Sequence, residues 1–208
     1  MKPILFNTEM VRAILDGRKT VTRRVVMPQP KAALFPMPDL MCWPGCFANA
    51  EEPMVYRPPY KFGDILWVRE TWNGDCCDHY IYKADGGSAK AAGYAAEPKW
   101  HPSIHMPKEA ARLFLRVTGV RVERLKDIDG HGILKEGIDN GKSNPAMGTR
   151  WENMQSMAFA ELWNSTLKSA DLPLYGWAAN PWVWVIEFER ISKDEALGGG
   201  GDDCTDAH

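Results

Sequence analysis

Short runs in which apolar and polar residues alternate predict most of the strands of this chain. One run opens at a Gly63-Asp64 turn and continues as an apolar strand. The alternation from Leu113 to Leu125 predicts either a strand pair or one long bent strand. The predicted strands cover residues 2–6, 21–26, 62–70, 80–83, 113–125 and 182–191.

Three segments have the spacing of amphipathic helices instead. The first begins after a cap at Asn7 or Thr8 and is closed by Gly17. Its apolar face carries Met10, Val11, Ile14 and Leu15. Shorter and longer helices are expected over about 128–136 and over 150–167.

About six strands with few helices predict an α+β protein. We expect a small closed or nearly closed β-barrel that carries helices at its mouth. One domain is expected over 1–192, with insertions at about 27–59 and 84–108, followed by a flexible glycine-rich tail over 193–208.

The insertion at 27–59 is rich in proline, methionine and alanine and shows little periodicity. We expect it to pack on the barrel, because so short a segment cannot bury a core of its own. Its removal is expected to alter substrate access more than folding. The expected anchors are Met37, Leu40, Trp43 and Phe47.

Composition narrows the possible partners and the compartment. The net charge is −2, so any binding of nucleic acid must come from local basic patches. The chain starts without a long apolar run and contains no stretch long enough to span a bilayer. Five cysteines form no secreted-type framework, and their spacing is too loose for a zinc site. We therefore expect a cytoplasmic protein with no membrane partner, no metal and no cofactor.

The segment from Gly17 to Arg24 is the strongest candidate for chemistry, because it holds four cations and two threonines in eight residues. On a strand, Lys19 and Arg23 point to one side, and Thr22 and Arg24 point to the other. The geometry after the turn can still bring Lys19 and Thr22 towards one pocket, where a lysine activates a hydroxyl. The alternative is a solvated basic turn.

The motif Gly17-x-Lys19-x-x-Thr22-x-Arg24 resembles the signature of the ASCH domain, a family of PUA-like β-barrels associated with RNA. The strand that begins at Gly63-Asp64 resembles the family's "GD-x-L-x-V" strand. The sequences Val117-Thr118-Gly119-Val120 and Lys135-Glu136-Gly137 resemble its later elements. The resemblance is greatest to the larger forms found in bacteriophages and prophages.

The family usually has a glutamate where this chain has Thr22. A threonine there is similar to a small bacterial relative, an acetylcytidine amidohydrolase, which removes an acyl group from the exocyclic amine of cytidine. That resemblance implies the catalytic residues Lys19, Thr22 and Glu136.

We expect Arg24 to bind a phosphate or an oxyanion, and Arg23 to be a neighbouring cation that also binds the substrate. Glu70 is a second candidate at the end of its strand, with an Arg-Glu surface pair as the alternative. Trp100 and His105 are expected either to cover a bound base or to pack within their own loop.

The resemblance therefore implies a protein that binds a nucleoside, a nucleotide or RNA, with hydrolysis of acylated cytidine as its specific activity. A binding module for RNA or modified nucleic acid without catalysis is the main alternative. Ribonuclease activity is a third possibility.

Overall fold

The computed structural model describes residues 1–37, 45–74, 79–86, 99–138 and 148–198. It is a mixed α+β protein, as the sequence predicts. The strands are β1 Lys2–Leu5, β2 Val21–Val25, β3 Phe35–Pro36, β4 Phe47–Ala48, β5 Ile65–Arg69, β6 Trp72–Asn73, β7 Ile81–Tyr82, β8 Phe114–Arg124 and β9 Trp182–Ile191. The helices are α1 Thr8–Leu15, α2 Gly130–Lys135, α3 Thr149–Ser165, α4 Leu172–Tyr175 and α5 Lys193–Ala196.

Five strands form one mixed sheet in the order β1-β5-β8-β9-β2. β1 runs parallel to β5, whereas β5 is antiparallel to β8 and β2 is antiparallel to β9. Two small sheets pair β3 with β4 and β6 with β7. In the part of the chain that the structure describes, no pairing joins the end strands β1 and β2, so the sheet is not the closed barrel that the sequence led us to expect.

The described residues divide into two compact units. The first contains residues 1–11, 64–116 and those from 189 onward, and the second contains 12–63 and 117–188. A cluster around Trp67, Met106 and Phe114 forms a core in the first unit. The second unit has a core around Leu125, Ile133 and Val185, to which α3 contributes Phe159 and Trp163.

Local signals place most elements correctly. The side chain of Asn7 accepts a hydrogen bond from the Met10 amide at the start of α1, and Gly17 follows the helix with a φ of 73°. The alternating segment at 113–125 forms one long strand, β8, rather than a pair. Residues 182–191 form β9, as predicted. None of the described helices is long and apolar enough to cross a membrane.

The prediction of a flexible tail from residue 193 is wrong for its first residues, because these form α5. The Ser192 side chain caps this helix by accepting a hydrogen bond from the Glu195 amide. Ala196 is 8% exposed and packs in the core of the first unit. The remainder of the predicted tail, 199–208, lies outside the described residues.

The segment predicted as an insertion contains the small β3–β4 sheet. Phe47 is 6% exposed, and its ring packs edge-on against Trp184 of β9 at 5.1 Å between centroids. Met37 is half-buried, whereas two expected anchors, Leu40 and Trp43, lie outside the described residues. Because Phe47 is buried against a central strand, we now expect deletion of the segment to lower stability.

Replacement of Phe47 tests this packing. Phe47→Ala is expected to lower the free energy of unfolding by about 3–5 kcal/mol, because it leaves a cavity against Trp184. Phe35→Ala, at a ring that is 49% exposed, is the matched control and is expected to change stability by less than about 0.5 kcal/mol. Urea denaturation measures both. Equal effects of the two variants would contradict the anchoring role of Phe47.

Candidate functional site

The turn between α1 and β2 lies against the end of α2, within the second unit. The Thr20 amide donates to the Lys135 carbonyl at 2.9 Å. Arg18 Nη1 donates to the Gly137 carbonyl at 2.9 Å. Lys19 and Glu136 form an isolated antiparallel bridge. These backbone contacts bring the basic segment to the glutamate that the sequence singled out.

Gly137 permits this close approach. Its φ is 85°, and a Cβ built there would lie 2.6 Å from Cβ of Ala13 and 2.9 Å from Cβ of Lys19. A side chain would therefore meet both a left-handed backbone and a filled space. The glycine both ends the turn after α2 and lets the chain pass over Lys19.

The side chain of Lys19 is completely buried. Its Nζ donates to the Val21 carbonyl at 2.8 Å, to the Glu136 carbonyl at 3.0 Å and to Glu136 Oε2 at 2.6 Å. These three bonds match the three N–H donors of an ammonium group. The alternative of a solvated basic turn is wrong for Lys19.

Glu136 is held by a cation at each carboxylate oxygen. Lys19 binds Oε2, and Arg23 Nη1 donates to Oε1 at 3.0 Å. Arg23 is buried as well, and its Nε and Nη2 both donate to Oε1 of Glu123, at 2.9 and 2.6 Å. The guanidinium of Arg23 therefore joins two carboxylates from different parts of the chain.

Thr22 and Arg24 form a second contact pair on β2. Thr22 is 1% exposed, and its Oγ1 accepts a hydrogen bond from Arg24 Nη1 at 2.8 Å. Arg24 Nη1 also donates to the Arg23 carbonyl at 2.9 Å. The positive charge of Arg24 lowers the pKa of Lys19, and the negative charge of Glu136 opposes the lowering of the Arg24 pKa by burial. The Thr22–Arg24 pair is therefore coupled electrostatically to the Lys19–Glu136 pair.

Burial is the main influence on the ionisation of Lys19. It lowers the pKa of the ammonium group below the ordinary lysine value, because a charged amine loses its hydration in the interior. The carboxylate of Glu136 opposes this change, and the positive charges of Arg24 and Arg23 reinforce it. Desolvation thus outweighs the ion pair, which is the condition that a lysine base requires.

Glu70 lies in the first unit, where it is buried in an ion pair with Arg112. It is 1% exposed, and its two oxygens accept from Nε and Nη2 of Arg112 at 2.9 and 3.0 Å. The guanidinium carbon of Arg112 also lies 3.9 Å from the centroid of the Tyr82 ring, in a cation–π contact. Burial raises the pKa of Glu70, and Arg112 opposes that rise. The surface-pair alternative for Glu70 is therefore wrong, and its role in substrate binding stays a prediction.

Trp100 and His105 also belong to the first unit. Trp100 is half-buried, and His105 is exposed in a 3₁₀ turn over Ser103–His105. His101, which the sequence analysis did not select, is the residue that stacks on an aromatic ring: it lies 5.1 Å from Trp72 between centroids. The candidate site contains Lys19, Thr22, Arg23, Arg24 and Glu136, all from the second unit.

A cavity of about 270 Å³ lies beside this cluster, also within the second unit. Arg23 belongs both to its wall and to the buried network. The wall combines apolar and charged residues: Val21, Arg23, Arg121, Glu123, Asp127, Ile128, Asp129, His131, Gly132, Lys135 and Glu187. Glu123 is the functional candidate that sequence reasoning missed, because its spacing within β8 gave no sign that it would face Arg23.

Among the described residues, no group of three or more histidine, cysteine, aspartate or glutamate side chains is placed to hold a metal ion. Cys46 is a buried free thiol, whereas Cys42, Cys76 and Cys77 lie outside the described residues. Comparison with known proteins found no matching family model, no matching curated protein and no matching solved structure.

Two glycine substitutions test how the site is assembled. Gly137→Ala is expected to destabilise the protein by about 2–5 kcal/mol, because a left-handed backbone conformation and a steric clash add. Gly17→Ala shares the positive φ but has no atom within 4 Å of the added Cβ, so about 1–2 kcal/mol is expected. Urea unfolding compares them. A Gly137→Ala variant no less stable than Gly17→Ala would contradict the close approach.

A second prediction concerns the ionisation of Lys19. Glu136→Gln removes the carboxylate that raises the Lys19 pKa, so the pKa is expected to fall further below 10.5. NMR titration of ¹³Cε-labelled lysine, assigned with Lys19→Arg, measures the change. In wild type, the Lys19 pKa is lower in the folded state than the unfolded value of 10.5. The free energy of unfolding is therefore expected to rise as the pH increases from the folded-state pKa towards 10.5, and to fall again when the pH is lowered through that range. An upward shift in Glu136→Gln would refute the assignment.

Proposed function

We propose that this chain is an ASCH-type protein that binds a nucleoside or an RNA base and hydrolyses the amide of an acylated cytidine. One observation carries the proposal: a buried lysine with a lowered pKa is paired with Glu136, and three positions along the chain the hydroxyl of buried Thr22 is held by Arg24. The residue types are those that the family resemblance implies.

The arrangement suits a threonine nucleophile. A threonine hydroxyl attacks an amide only if a base takes its proton. A neutral amine at Lys19 retains two N–H donors and has one lone pair to accept that proton. The carboxylate of Glu136 then stabilises the ammonium that forms, at the 2.6 Å contact already present.

In the first half of the proposed reaction, Thr22 Oγ1 bonds to the acyl carbon while its proton passes to Lys19. The electrons of the carbonyl move to oxygen, and Arg24 stabilises that oxyanion. As the carbonyl re-forms, the bond to the exocyclic nitrogen breaks. That nitrogen takes the proton from Lys19, and cytidine leaves with a free amine.

The second half regenerates the threonine. Water attacks the acyl ester on Thr22 and gives a proton to Lys19. When the new tetrahedral carbon collapses, its bond to Oγ1 breaks, and the proton returns from Lys19 to that oxygen. The acyl group leaves as a carboxylic acid, which ionises in water. Neither half needs a metal or a redox cofactor to balance.

Two substitutions at Thr22 test the proposal. Thr22→Val keeps the branched shape but removes the hydroxyl, so release of acetate from N4-acetylcytidine is expected to stop while the melting transition stays cooperative. Thr22→Ser keeps the hydroxyl and is expected to retain measurable turnover. Chromatography of the nucleosides and an acetate assay follow the reaction.

Other outcomes distinguish the alternatives. Saturable binding of RNA or nucleoside to wild type without acetate release would indicate a binding module, and binding that weakens steeply with salt would indicate phosphate contacts. Cleavage of RNA by wild type would indicate a ribonuclease. Full activity of Thr22→Val would rule out Thr22 as the nucleophile.

A further inference from the structure

The buried ion pair is the inner end of a longer chain of alternating charges in the second unit. Arg23 links Glu136 to Glu123, as described above. Arg121 Nη2 contacts Glu123 Oε2 at 3.3 Å, and Arg121 Nη1 contacts Glu187. The order is Lys19, Glu136, Arg23, Glu123, Arg121 and Glu187, with neighbours of opposite charge throughout.

Exposure increases along this chain. The side chains of Lys19, Arg23 and Glu136 are 6% exposed or less, that of Glu123 is 17% exposed, and that of Arg121 is 49% exposed. Arg23 and Glu123 both belong to the wall of the 270 Å³ cavity. The ion-pair chain therefore connects a fully buried amine to the wall of this cavity.

The geometry at Arg23 shows what Glu123 does for the buried pair. Arg23 uses Nη1 for Glu136, whereas Nε and Nη2 both bind Glu123. Two contacts to Glu123 orient the planar guanidinium, since its donors have a fixed fork geometry. With its orientation fixed, Nη1 meets Glu136 Oε1 at 3.0 Å and leaves Oε2 for Lys19.

We propose that Arg23 and Glu123 are positioning residues that orient Glu136 towards Lys19 and couple the buried pair to the cavity. The assignment rests on the proposed function only in taking Lys19 and Glu136 as reacting groups. The contacts themselves are independent of the reaction. Neither Arg23 nor Glu123 needs to touch the substrate.

A purely structural role makes a different prediction. Buried ion pairs often contribute little net stability, because desolvation offsets the attraction. If Arg23 and Glu123 only fill space, Glu123→Gln changes stability and leaves the ionisation of Lys19 unaltered. If they position Glu136, Glu123→Gln changes the Lys19 titration more than the loss of another carboxylate from the cavity wall does. Arg23→Gln removes a cation that acts on Lys19 in either case.

The test is the titration of ¹³Cε-labelled Lys19 in Glu123→Gln and Arg23→Gln. In Glu123→Gln, Arg23 has only Glu136 as a charged partner and neutralises more of its negative charge. Glu136 then stabilises the Lys19 ammonium less, and the Lys19 pKa is expected to fall. Arg23→Gln removes a cation that lowers the Lys19 pKa, so the pKa is expected to rise. The other charges acting on Lys19, from Glu136 and Arg24, are the same in both variants.

Asp127→Asn is the matched control. It removes one negative charge from the same cavity wall but lies outside the chain of ion pairs, so the Lys19 titration is expected to stay at its wild-type position. If Arg23→Gln does not fold, the comparison of Glu123→Gln with Asp127→Asn carries the test. Urea unfolding establishes that each variant is folded.

An unchanged Lys19 titration in Glu123→Gln would overturn the positioning role, as would a shift of equal size in Asp127→Asn. This readout is separate from turnover. A fall of the Lys19 pKa in folded Glu123→Gln but not in Asp127→Asn, with no acetate released by wild type, would support the positioning role and refute the hydrolase. Acetate release by wild type with no shift in Glu123→Gln would do the reverse.

Discussion

The ion pair between Lys19 and Glu136 is the interaction on which the candidate site depends. It places a lysine with no exposed side-chain surface 2.6 Å from a carboxylate that is nearly as buried. Breaking such a pair by removing one partner typically costs about 3–5 kcal/mol, because the other charge is left buried. The protein therefore keeps this arrangement only if the end of α2 and the start of β2 remain in contact.

Several local features serve that contact. Gly137 allows α2 to end directly over Lys19, and Asp129 caps the same helix by accepting a hydrogen bond from the Gly132 amide at 2.6 Å. Arg18 binds the Gly137 carbonyl from outside. Because all of these residues lie within the second unit, the site can be assembled by that unit's own elements.

The chemistry that this arrangement favours depends on the balance between burial and charge. Burial lowers the pKa of Lys19, Glu136 opposes it, and two arginines reinforce it. Burial favours the neutral amine at Lys19, whereas the same residue on a solvated turn remains an ammonium group. Arg23 and Glu123 connect the Lys19–Glu136 pair to the wall of the cavity, because Arg23 binds both carboxylates.

Sequence alone determined the elements that depend on local interactions: helix α1 after a cap at Asn7 or Thr8, the extended structure of the alternating segment at 113–125, and the final strand β9. It also selected Lys19 from the basic segment, and Glu136 through a family resemblance. Tertiary structure decided the partners, because ion pairs such as Glu136 with Lys19 and Glu123 with Arg23 join residues 117 and 100 positions apart. Alternation within a strand gives the face of a residue but not the strand or helix that packs against it. For the same reason, the sequence showed only that Glu70 follows Arg69, whereas the fold buries Glu70 against Arg112, which is 42 positions away.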